Sequence, residues 1–533
     1  MTDSPIDKVK FQRERLFPSS LGLVVFLGGM GTMMLEFAAS RLLGNVFGTS
    51  NLVWAVIIGL ILVYLTLGNW LGGKWADASP KLETLGFILA CAGLSTGVLP
   101  LISRPILRIS AEAFDALNIG LLAGTFLSVI LLLIIPVTLL GMVTPFALRL
   151  AIRTSENAGK VSGALSAIST LGSFIGTFLT VLVLVPFIGT YRTFLSTAAI
   201  LLLIAMGVFW ARKKYKHLLI FGLIWVAIIA LAIIGIRGFD KASAGLIYEK
   251  ESAYNYIQVL EYGDFRFLRL NEGQGMHSIY NPNQYFYGGP WSQALVGPFF
   301  NPEAKLENVK NIALIGLAAG TSARQASIAL PQAHVDGIEI DPEIVEIGRE
   351  YFGMNLPNLQ VIVGDGRWEM DKLAGAYDLI SVDAYRPPYI PAHMVTLEFF
   401  TMLEQKLTPN GVVAINIGRG GNDRSLVNAL AATVSKVFSK VFVVDLADSY
   451  NSVLFAASNP AASWENLANN QNSMVYAPED KENLLFSAIG LALKGKSAVV
   501  VDGAVFTDDL APIEFITNRM VLEFLVNEEM ELP

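Results

Sequence analysis

The chain has 533 residues, a formal net charge of −7 at pH 7, 53% hydrophobic residues and only 16% charged residues. This length exceeds that of one ordinary domain, and the mean hydropathy of +0.52 is high for a soluble protein. The negative charge argues against a broad nucleic-acid-binding surface, and the single cysteine, Cys91, excludes an intrachain disulfide and a zinc site built from several cysteines.

The N-terminal half is a series of long apolar segments that follows a polar stretch, residues 1–19. Each segment approaches or exceeds the roughly 20 residues that a helix needs to span a bilayer. We therefore predict a multi-pass α-helical membrane domain over residues 20–240, with about seven helices. The predicted helices are 20–43, 52–75, 84–104, 118–150, 161–187, 191–211 and 217–236. Small residues at helix-packing spacing predict close contacts of the fifth helix with its neighbours: Gly163, Ala167, Gly172 and Gly176.

Basic residues are distributed unevenly among the predicted loops. The loops opposite the N-terminus carry few of them, and most lie on the N-terminal side, including Lys8, Arg149 and Lys214. The positive-inside rule therefore predicts a multi-pass cell-membrane protein with a cytoplasmic N-terminus. Seven helices would place the C-terminal half on the opposite face, whereas six would place it on the same face, so its side stays open. Glu36, an acid within the first helix, is interpreted either as part of a polar site or proton path, or as one partner of a structural pair.

From about residue 245 the long apolar segments give way to alternating polar and apolar residues. Four short apolar runs alternate with helix-length polar segments, which predicts parallel strands with crossover helices. The runs are Ile312–Ile315, Val335–Ile338, Leu359–Val363 and Leu379–Val382. Strands at 411–417, Val441–Asp445 and Val453–Ala457 and helices at 394–407 and 423–438 are predicted to continue the sheet. Upstream, alternating residues in Tyr256–Tyr262 and Phe265–Leu270 predict a small antiparallel sheet or hairpin. We therefore predict a β lid over 245–310, an α/β nucleoside-binding core over 311–460 and a C-terminal helical extension over 461–533.

Each of the four runs is followed by a cluster of residues suited to ligand binding, at the edge where open α/β sheets bind ligands. The small residues after the first run let the backbone approach a ligand, and the next helix offers its N-terminal N–H groups. The acids after the second run lie roughly 20 residues past the glycines, where they are placed to bind a ribose diol. Because no GxGxxG motif is present, an S-adenosyl compound is favoured over a dinucleotide. The clusters are Gly316–Thr321, Glu339–Pro342, Gly364–Gly366 and Asp383–Arg386.

The order of the glycine turn, E-I-D, G-D-G and V-D-A resembles the catalytic domain of spermidine synthase, a polyamine aminopropyltransferase. The resemblance covers roughly Tyr248 to Asn459 and includes an upstream E-S-x-Y-x-x-I-x-V segment at Glu251–Val259. The hydrophobic N-terminal half and the late Thr507–Pro512 look like the membrane-fused branch of that family. The resemblance implies a Rossmann-like fold of the S-adenosylmethionine-dependent methyltransferase type. It also implies decarboxylated S-adenosylmethionine or S-adenosylmethionine as co-substrate, no metal, an amine acceptor and a homodimer.

The resemblance also implies roles for individual residues. Asp383, which its position at a strand end already favours as a base, matches the catalytic aspartate of the family. Asn255 stands where the family has a glutamine that binds the nucleoside, and Trp291 lies near a family Tyr or His that contacts polyamine. The cofactor-binding positions are Asn255, Gly316, Gly320, Glu339, Asp341, Asp365 and Gly366. The substrate-binding positions are Gln274, Trp291, Tyr385 and Arg386.

Three departures from the family pattern leave the acceptor open, and the position near Trp291 is one of them. Ala319 stands where the family has an acid that meets the ammonium of the donor, and Arg386 replaces a second acid that helps to hold a polyamine. An arginine there would repel a diammonium substrate and favour a carboxylate or phosphate. Three functions follow from the sequence. The first is aminopropyl transfer, and the second is methyl or aminocarboxypropyl transfer from S-adenosylmethionine to an anionic or lipid-borne acceptor. The third is a membrane transporter or sensor with a nucleoside-binding domain.

Overall fold

The computed structural model describes residues 19–47, 51–117, 121–152, 154–234, 243–271, 275–385, 390–420, 423–447, 449–474, 483–501 and 503–527. The chain divides into two compact units, Met1–Lys241 and Ala242–Pro533. The first unit is helical. The second unit contains every described β-strand. The fold class predicted from the sequence, a helical domain followed by a Rossmann-like α/β domain, is confirmed.

The first unit contains eight described α-helices, and six of its helical stretches are long and apolar enough to cross a membrane. The longest stretch, Ala158–Ala211, contains a π-helical turn at Thr180–Leu184 and a break at Gly189, where φ is 78° and ψ is 166°. The fourth predicted segment is likewise interrupted, at Met142. The helices are α1 (Ser19–Phe47), α2 (Asn51–Ala78), α3 (Leu82–Leu117), α4 (Leu121–Gly141), α5 (Val143–Ala151), α6 (Ala158–Leu179), α7 (Val185–Ala211) and α8 (Tyr215–Ile234).

Side-chain contacts define the relative directions of these helices. Gly86, near the start of α3, packs against Val208 near the end of α7, whereas Gly97 packs against Ala198. Helices α3 and α7 therefore run antiparallel. Helix α8 in turn runs antiparallel to α7, because Trp225 donates a hydrogen bond to the Ala199 carbonyl and Arg192 donates one to the Ala232 carbonyl. If each helix reverses the direction of the one before, this arrangement requires α6 and α7 to count as two separate helices.

Basic side chains gather at one end of this bundle, which we call the basic end. It is formed by the α2–α3 turn, by α5 and by the α7–α8 turn. The contact of Gly86 with Val208 joins the two turns, and an ion pair of 2.8 Å between Arg149 and Asp77 joins α5 to the end of α2. The basic residues of these segments are Lys74, Lys81, Arg149, Arg212, Lys213, Lys214 and Lys216.

Helices α1 and α6 approach closely at glycines. A Cβ atom at Gly172 would lie 2.0 Å from the Phe26 carbonyl oxygen, and one at Gly176 would lie 2.4 Å from the Met30 carbonyl oxygen. The predicted close packing is therefore present at these two positions. It is wrong for Gly163, which is exposed and where a Cβ atom would meet nothing within 4 Å.

The second unit begins with a four-stranded antiparallel sheet in the order β1-β2-β3-β4. Alternation of apolar residues predicted the two central strands, and the structure adds one strand on each side. Its apolar face packs on the turn before α10 and on α11, in a cluster that includes Ile257, Leu268 and Ile344. The strands are β1 (Leu246–Glu251), β2 (Tyr256–Tyr262), β3 (Phe265–Leu270) and β4 (Ser278–Tyr280).

The main sheet has eight strands in the order β12-β10-β11-β9-β8-β5-β6-β7. Strands β5 to β9 are parallel where they pair, and β11 runs antiparallel between β9 and β10. The carboxyl ends of β5, β6, β7 and β8 therefore meet at one edge. The strands are β5 (Asn311–Ile315), β6 (His334–Glu339), β7 (Leu359–Val363), β8 (Tyr377–Val382), β9 (Leu407–Gly418), β10 (Lys440–Asp445), β11 (Asn451–Ala457) and β12 (Lys496–Ser497).

Helices cover both faces of the main sheet, and two hydrophobic clusters fill the space between. Asp341, Asp365 and Thr396 cap three of these helices by accepting hydrogen bonds from first-turn N–H groups. The C-terminal segment belongs to the same packing, since Leu485 lies in one cluster and Phe506 in the other. The helices are α9 (Pro290–Ala294), α10 (Thr321–Ala329), α11 (Pro342–Tyr351), α12 (Gly366–Lys372), α13 (Leu397–Gln405), α14 (Ser425–Val434), α15 (Trp464–Asn472), α16 (Asn483–Lys494) and α17 (Ile513–Asn527).

Candidate active site

The glycine turn after β5 lies directly against the end of β8. Gly316 has φ +89°, and a Cβ atom there would lie 2.4 Å from the carbonyl oxygen of Asp383. Only glycine fits both the conformation and the space. Gly320 also has a positive φ, of 93°, and it precedes the first residue of α10. The turn therefore brings the start of α10 and the end of β8 to one place, beside the main-chain N–H groups that a ligand would meet.

Glu339, at the end of β6, is buried against this turn. One carboxylate oxygen accepts a hydrogen bond from the Ala318 N–H at 2.8 Å, and the other accepts one from the Asp341 N–H at 3.0 Å. Burial raises the pKa of Glu339 to about 7, although these hydrogen bonds oppose the rise. Glu339 therefore titrates near neutral pH, and its ionised form offers lone pairs to the hydroxyl groups of a ligand.

Asp341 holds the β lid. It is completely buried, and its Oδ2 accepts hydrogen bonds from the Ser252 hydroxyl at 2.5 Å and from the Asn255 amide at 2.9 Å. Its Oδ1 caps α11 through the Glu343 N–H. The amide oxygen of Asn255 accepts from Asn271. Asp341 and Asn255 therefore both take part in the hydrogen bonds that join the β lid to the main sheet.

Ala319 lies in an apolar environment. It is 1% exposed and belongs to the cluster that joins the β lid to α11. Its N–H donates a hydrogen bond of 3.0 Å to the Ser278 hydroxyl of β4. A carboxylate at this position would be buried among apolar side chains, so alanine suits these surroundings better than an acid does.

Asp365 and Gly366 lie where β7 leads into α12. Asp365 caps the helix through the Arg367 and Trp368 N–H groups, and its Oδ2 lies 3.1 Å from Nε2 of His393. A cavity of about 310 Å³ adjoins this acid. It is lined by Asp365, Arg367, Trp368, Asp371 and Met402.

Arg367 links Asp365 to the C-terminal segment. Its guanidinium makes two hydrogen bonds of 2.7 Å to the Asp508 carboxylate and one of 2.9 Å to the His393 carbonyl. Asp508 also accepts from the Thr396 hydroxyl at 2.7 Å. The hydrogen bonds from Arg367 lower the pKa of Asp508 to about 2. Asp508, in the stretch Thr507–Pro512, therefore fixes the Arg367 side chain at this site. The sequence alone predicted no role for this stretch.

Asp383 is oriented by an amide network. The Asn416 side chain on β9 donates a hydrogen bond of 2.8 Å to Oδ1 of Asp383, and Asn451 on β11 donates one of 3.0 Å to Oδ1 of Asn416. Burial raises the pKa of Asp383 to about 6, against the effect of the Asn416 hydrogen bond. A carboxylate with such a pKa is largely ionised at neutral pH and is suited to accept a proton.

The remaining predicted positions have different surroundings. The Tyr385 hydroxyl accepts a hydrogen bond from the Gly418 N–H at 2.6 Å and donates one to the Asn416 carbonyl, so it ties the end of β9. Trp291 lies in α9, which packs against β9 and α10. Gln274 and Arg386 lie outside the described residues. The roles of all four toward a substrate stay predictions.

The structure also identifies functional candidates that the sequence reasoning missed. Asn416 contacts Asp383 only because β8 and β9 pair in parallel, and His393 reaches Asp365 from a different segment. No local motif marks either residue. For Asp508 a signal existed, since Thr507–Pro512 resembles the membrane-fused branch of the family. Among the described residues, no group of three or more His, Cys, Asp or Glu side chains is arranged to hold a metal ion.

Comparison with known proteins defines the family. Residues 301–452 match the spermine/spermidine synthase domain. Over 304 residues the chain is 30% identical to a probable polyamine aminopropyl transferase of Bifidobacterium longum, an alignment that covers 55% of this chain and 67% of that protein. The chain belongs to the polyamine aminopropyltransferase family. A second member, from Vibrio vulnificus, is 30% identical over 227 residues, which cover 41% of this chain and 73% of that protein.

Family membership confirms the resemblance of the C-terminal half to the spermidine synthase domain and identifies the chain as a transferase. Among solved structures, a probable spermidine synthase from Corynebacterium glutamicum aligns at 19% identity with a TM-score of 0.36. That alignment covers 55% of this chain and 100% of the other. Of the three functions left open by the sequence, family membership favours the first, aminopropyl transfer.

Proposed function

We propose that the α/β unit moves an aminopropyl group from decarboxylated S-adenosylmethionine to an amine and releases methylthioadenosine. The observation that carries this proposal is the position of Asp383. Its carboxylate has a pKa of about 6, and its backbone touches the Gly316 turn, where the donor nucleoside would bind. A proton acceptor and a nucleoside-binding turn therefore meet at one edge of the sheet.

The proposed reaction is a nucleophilic displacement. The acceptor nitrogen, once deprotonated, attacks the carbon next to the donor sulfonium. The C–N bond forms while the C–S bond breaks, and the sulfur leaves with the bonding electrons as methylthioadenosine. Asp383 accepts the proton that the acceptor ammonium loses, directly or through water. The hydrogen bond from Asn416 holds the carboxylate in one orientation for this transfer.

The proposed donor contacts follow the strand ends. Glu339 would accept hydrogen bonds from the ribose hydroxyls, and Asp365 with Gly366 would face the adenine amino group. Gly316 and Gly320 would let the backbone approach the donor. These assignments are supported by burial of Glu339 beside the turn and by the capped start of α12 at Asp365.

The amine-recognising part of the site differs from the family pattern, and we propose that its acceptor differs accordingly. Ala319 lies among apolar side chains, and the sequence places Arg386 three residues after Asp383. An acceptor with one amine and an anionic or apolar group satisfies these positions better than a symmetric diamine.

Isothermal titration of the purified full-length chain tests the proposed donor. We expect methylthioadenosine and decarboxylated S-adenosylmethionine to bind, and intact S-adenosylmethionine to bind at least about tenfold more weakly. Tighter binding of the intact donor would contradict the proposal and would favour methyl or aminocarboxypropyl transfer.

We also propose that the helical unit spans a membrane in seven passes with the basic end in the cytoplasm. The six apolar stretches, the break at Gly189 and the antiparallel arrangement of α3 and α7 support this number. The charge of the basic end supports the orientation. With seven passes, the chain leaves its last span, α8, on the face of the membrane opposite the basic end.

Cysteine labelling tests this topology, because the chain has one native cysteine, Cys91. In a Cys91→Ser background, Asp264→Cys probes the turn between β2 and β3, and Lys216→Cys probes the basic end. We expect a membrane-impermeant maleimide to label position 264 in intact cells or spheroplasts and position 216 only after lysis. Labelling of both positions only after lysis would show an even number of passes.

A further inference from the structure

A shallow cavity lies at the basic end of the helical unit, where the α2–α3 turn meets the α7–α8 turn. Its volume is about 270 Å³. Both turns contribute polar and aromatic side chains, so the cavity is neither purely apolar nor purely charged. Its principal lining side chains are Trp75, Glu83, Phe87, Phe209, Lys214 and His217. We call it the basic-end cavity.

The basic-end cavity presents charges of both signs. Glu83 is in the first turn of α3, and Lys214 lies between α7 and α8. Among the described residues, neither side chain forms an ion pair. The Lys214 backbone is held by a hydrogen bond of 2.8 Å from its N–H to the Phe209 carbonyl. Each charge is therefore available to a group of opposite sign on a ligand.

Three aromatic rings line the same cavity as this acid. Phe209 is 1% exposed, and its ring stacks on Phe221 with centroids 5.7 Å apart, whereas Trp75 and Phe87 are partly open to the surroundings. A carboxylate among aromatic faces attracts an ammonium ion through both its charge and the ring quadrupoles. Lys214 and His217, whose ring packs against Phe209 with centroids 5.3 Å apart, also line the cavity and supply N–H donors of the kind that bind phosphate.

The surroundings of the basic-end cavity are those of a membrane surface. Trp70, Trp210 and Tyr215 nearby are 56%, 70% and 63% exposed. Tryptophan and tyrosine are enriched where a bilayer meets water, and basic side chains there attract phospholipids. Under the membrane placement proposed above, this cavity lies at the level of the lipid head groups.

We propose that the basic-end cavity binds the head group of a zwitterionic phospholipid that has a primary ammonium, as in phosphatidylethanolamine. The ammonium lies at Glu83 among the aromatic rings, and the phosphate lies at Lys214 and His217. A primary ammonium fits better than a quaternary one, because its N–H groups donate hydrogen bonds to the Glu83 carboxylate. The proposal depends on the proposed membrane placement and not on the transferase chemistry.

Native mass spectrometry of the full-length chain in a non-ionic detergent tests the proposal. The probes are dioctanoyl phosphatidylethanolamine, phosphatidylcholine and phosphatidylglycerol, with water-soluble phosphoethanolamine as a further ligand. We expect the chain to retain phosphatidylethanolamine most strongly and to bind soluble phosphoethanolamine more weakly than the lipid.

Charge variants test the acidic and the basic lining residues separately. Glu83→Gln should weaken phosphatidylethanolamine binding by about tenfold and leave phosphatidylglycerol binding unchanged, since only the former has an ammonium. Lys214→Gln should weaken both. Lys216→Gln is the matched control, because this lysine lies in the same basic segment but does not line the cavity, and it should change neither. Thermal unfolding of each variant establishes that it is folded.

Two results would overturn the proposal. Equal retention of phosphatidylethanolamine and phosphatidylglycerol, unaffected by Glu83→Gln, would show general attraction of anions to the basic end. Binding of soluble phosphoethanolamine as tight as that of the lipid would show a site for a free phosphoamine. A wild-type chain that binds the lipid as expected but shows no transferase activity would contradict the proposed function and not the proposed lipid site.

Discussion

The amide of Asn416 donates a hydrogen bond of 2.8 Å to Oδ1 of Asp383, and it comes from the neighbouring strand of the parallel sheet. The amide group cannot rotate freely, because Asn451 donates to its oxygen. This contact favours the ionised form of Asp383 against the effect of burial. Asn416 is therefore a positioning residue that also lowers the pKa of the proposed base.

Replacing Asn416 should change the pH dependence of the reaction. In Asn416→Leu the hydrogen bond to Asp383 is lost, so the pKa of the base should rise above its value of about 6. The acidic limb of the kcat/KM profile should move to higher pH by roughly one unit. Asn451→Ala, which acts through Asn416, should give a smaller shift in the same direction. A lower rate with an unmoved acidic limb would mean that Asn416 has only a structural role.

Nucleoside binding should depend on the ionisation of Glu339. Its pKa is about 7 because the side chain is buried, so it is mostly protonated at pH 6 and mostly ionised at pH 8. The ionised form accepts hydroxyl hydrogen bonds better, so affinity should increase as the pH rises through 7. Titration with methylthioadenosine should show about tenfold weaker binding at pH 6 than at pH 8. Glu339→Gln should bind weakly at both values; a variant that keeps the wild-type pH dependence would assign the titration to another group.

The Gly316 turn should not tolerate a side chain. In Gly316→Ala the new Cβ atom would lie 2.4 Å from the Asp383 carbonyl oxygen, in addition to the cost of φ +89°. Gly263→Ala is a matched control, because Gly263 has φ +58° but a Cβ atom there meets nothing within 4 Å. The control should lose about 1 kcal/mol of stability, and Gly316→Ala should lose clearly more. Equal changes in unfolding temperature would show that the steric contact is relieved without cost.

Much of the α/β fold could be predicted because its signals are local. The strands β5 to β8 are short segments rich in apolar residues, and Asp341 and Asp365 cap helices immediately after two of them. The break between the fifth and sixth predicted helices likewise lies at a glycine, Gly189.

The remaining features depend on contacts between distant segments. Arg367 and Asp508 are 141 residues apart in sequence, and Asn416 reaches Asp383 through strand pairing. Nor does the sequence indicate that Ala319 faces an apolar cluster, because that depends on where β4 and α11 pack.

The ion pair of Arg367 with Asp508 should affect recognition of the nucleobase. Asp508→Asn weakens the hydrogen bonds that fix the Arg367 side chain. Arg367 also donates a hydrogen bond to the His393 carbonyl, and the His393 ring lies beside Asp365. We expect methylthioadenosine to bind about three- to tenfold more weakly. Methylthioinosine, which lacks the amino group proposed to meet Asp365, should lose less affinity.

Asp509→Asn is the matched control for this ion pair, because Asp509 is the exposed neighbour of Asp508. It should bind both nucleosides as the wild type does. Equal losses of affinity for methylthioadenosine and methylthioinosine in Asp508→Asn would indicate a general loss of stability instead of a role in positioning Asp365.

The central claim is that this chain transfers an aminopropyl group with Asp383 as the base. Mass spectrometry of reactions with decarboxylated S-adenosylmethionine and a panel of amines tests it most directly. We predict that methylthioadenosine and an aminopropylated amine form together, and that Asp383→Asn lowers the rate by about 10²- to 10⁴-fold while methylthioadenosine still binds. Formation of S-adenosylhomocysteine from intact S-adenosylmethionine, with no turnover of the decarboxylated donor, would contradict the claim.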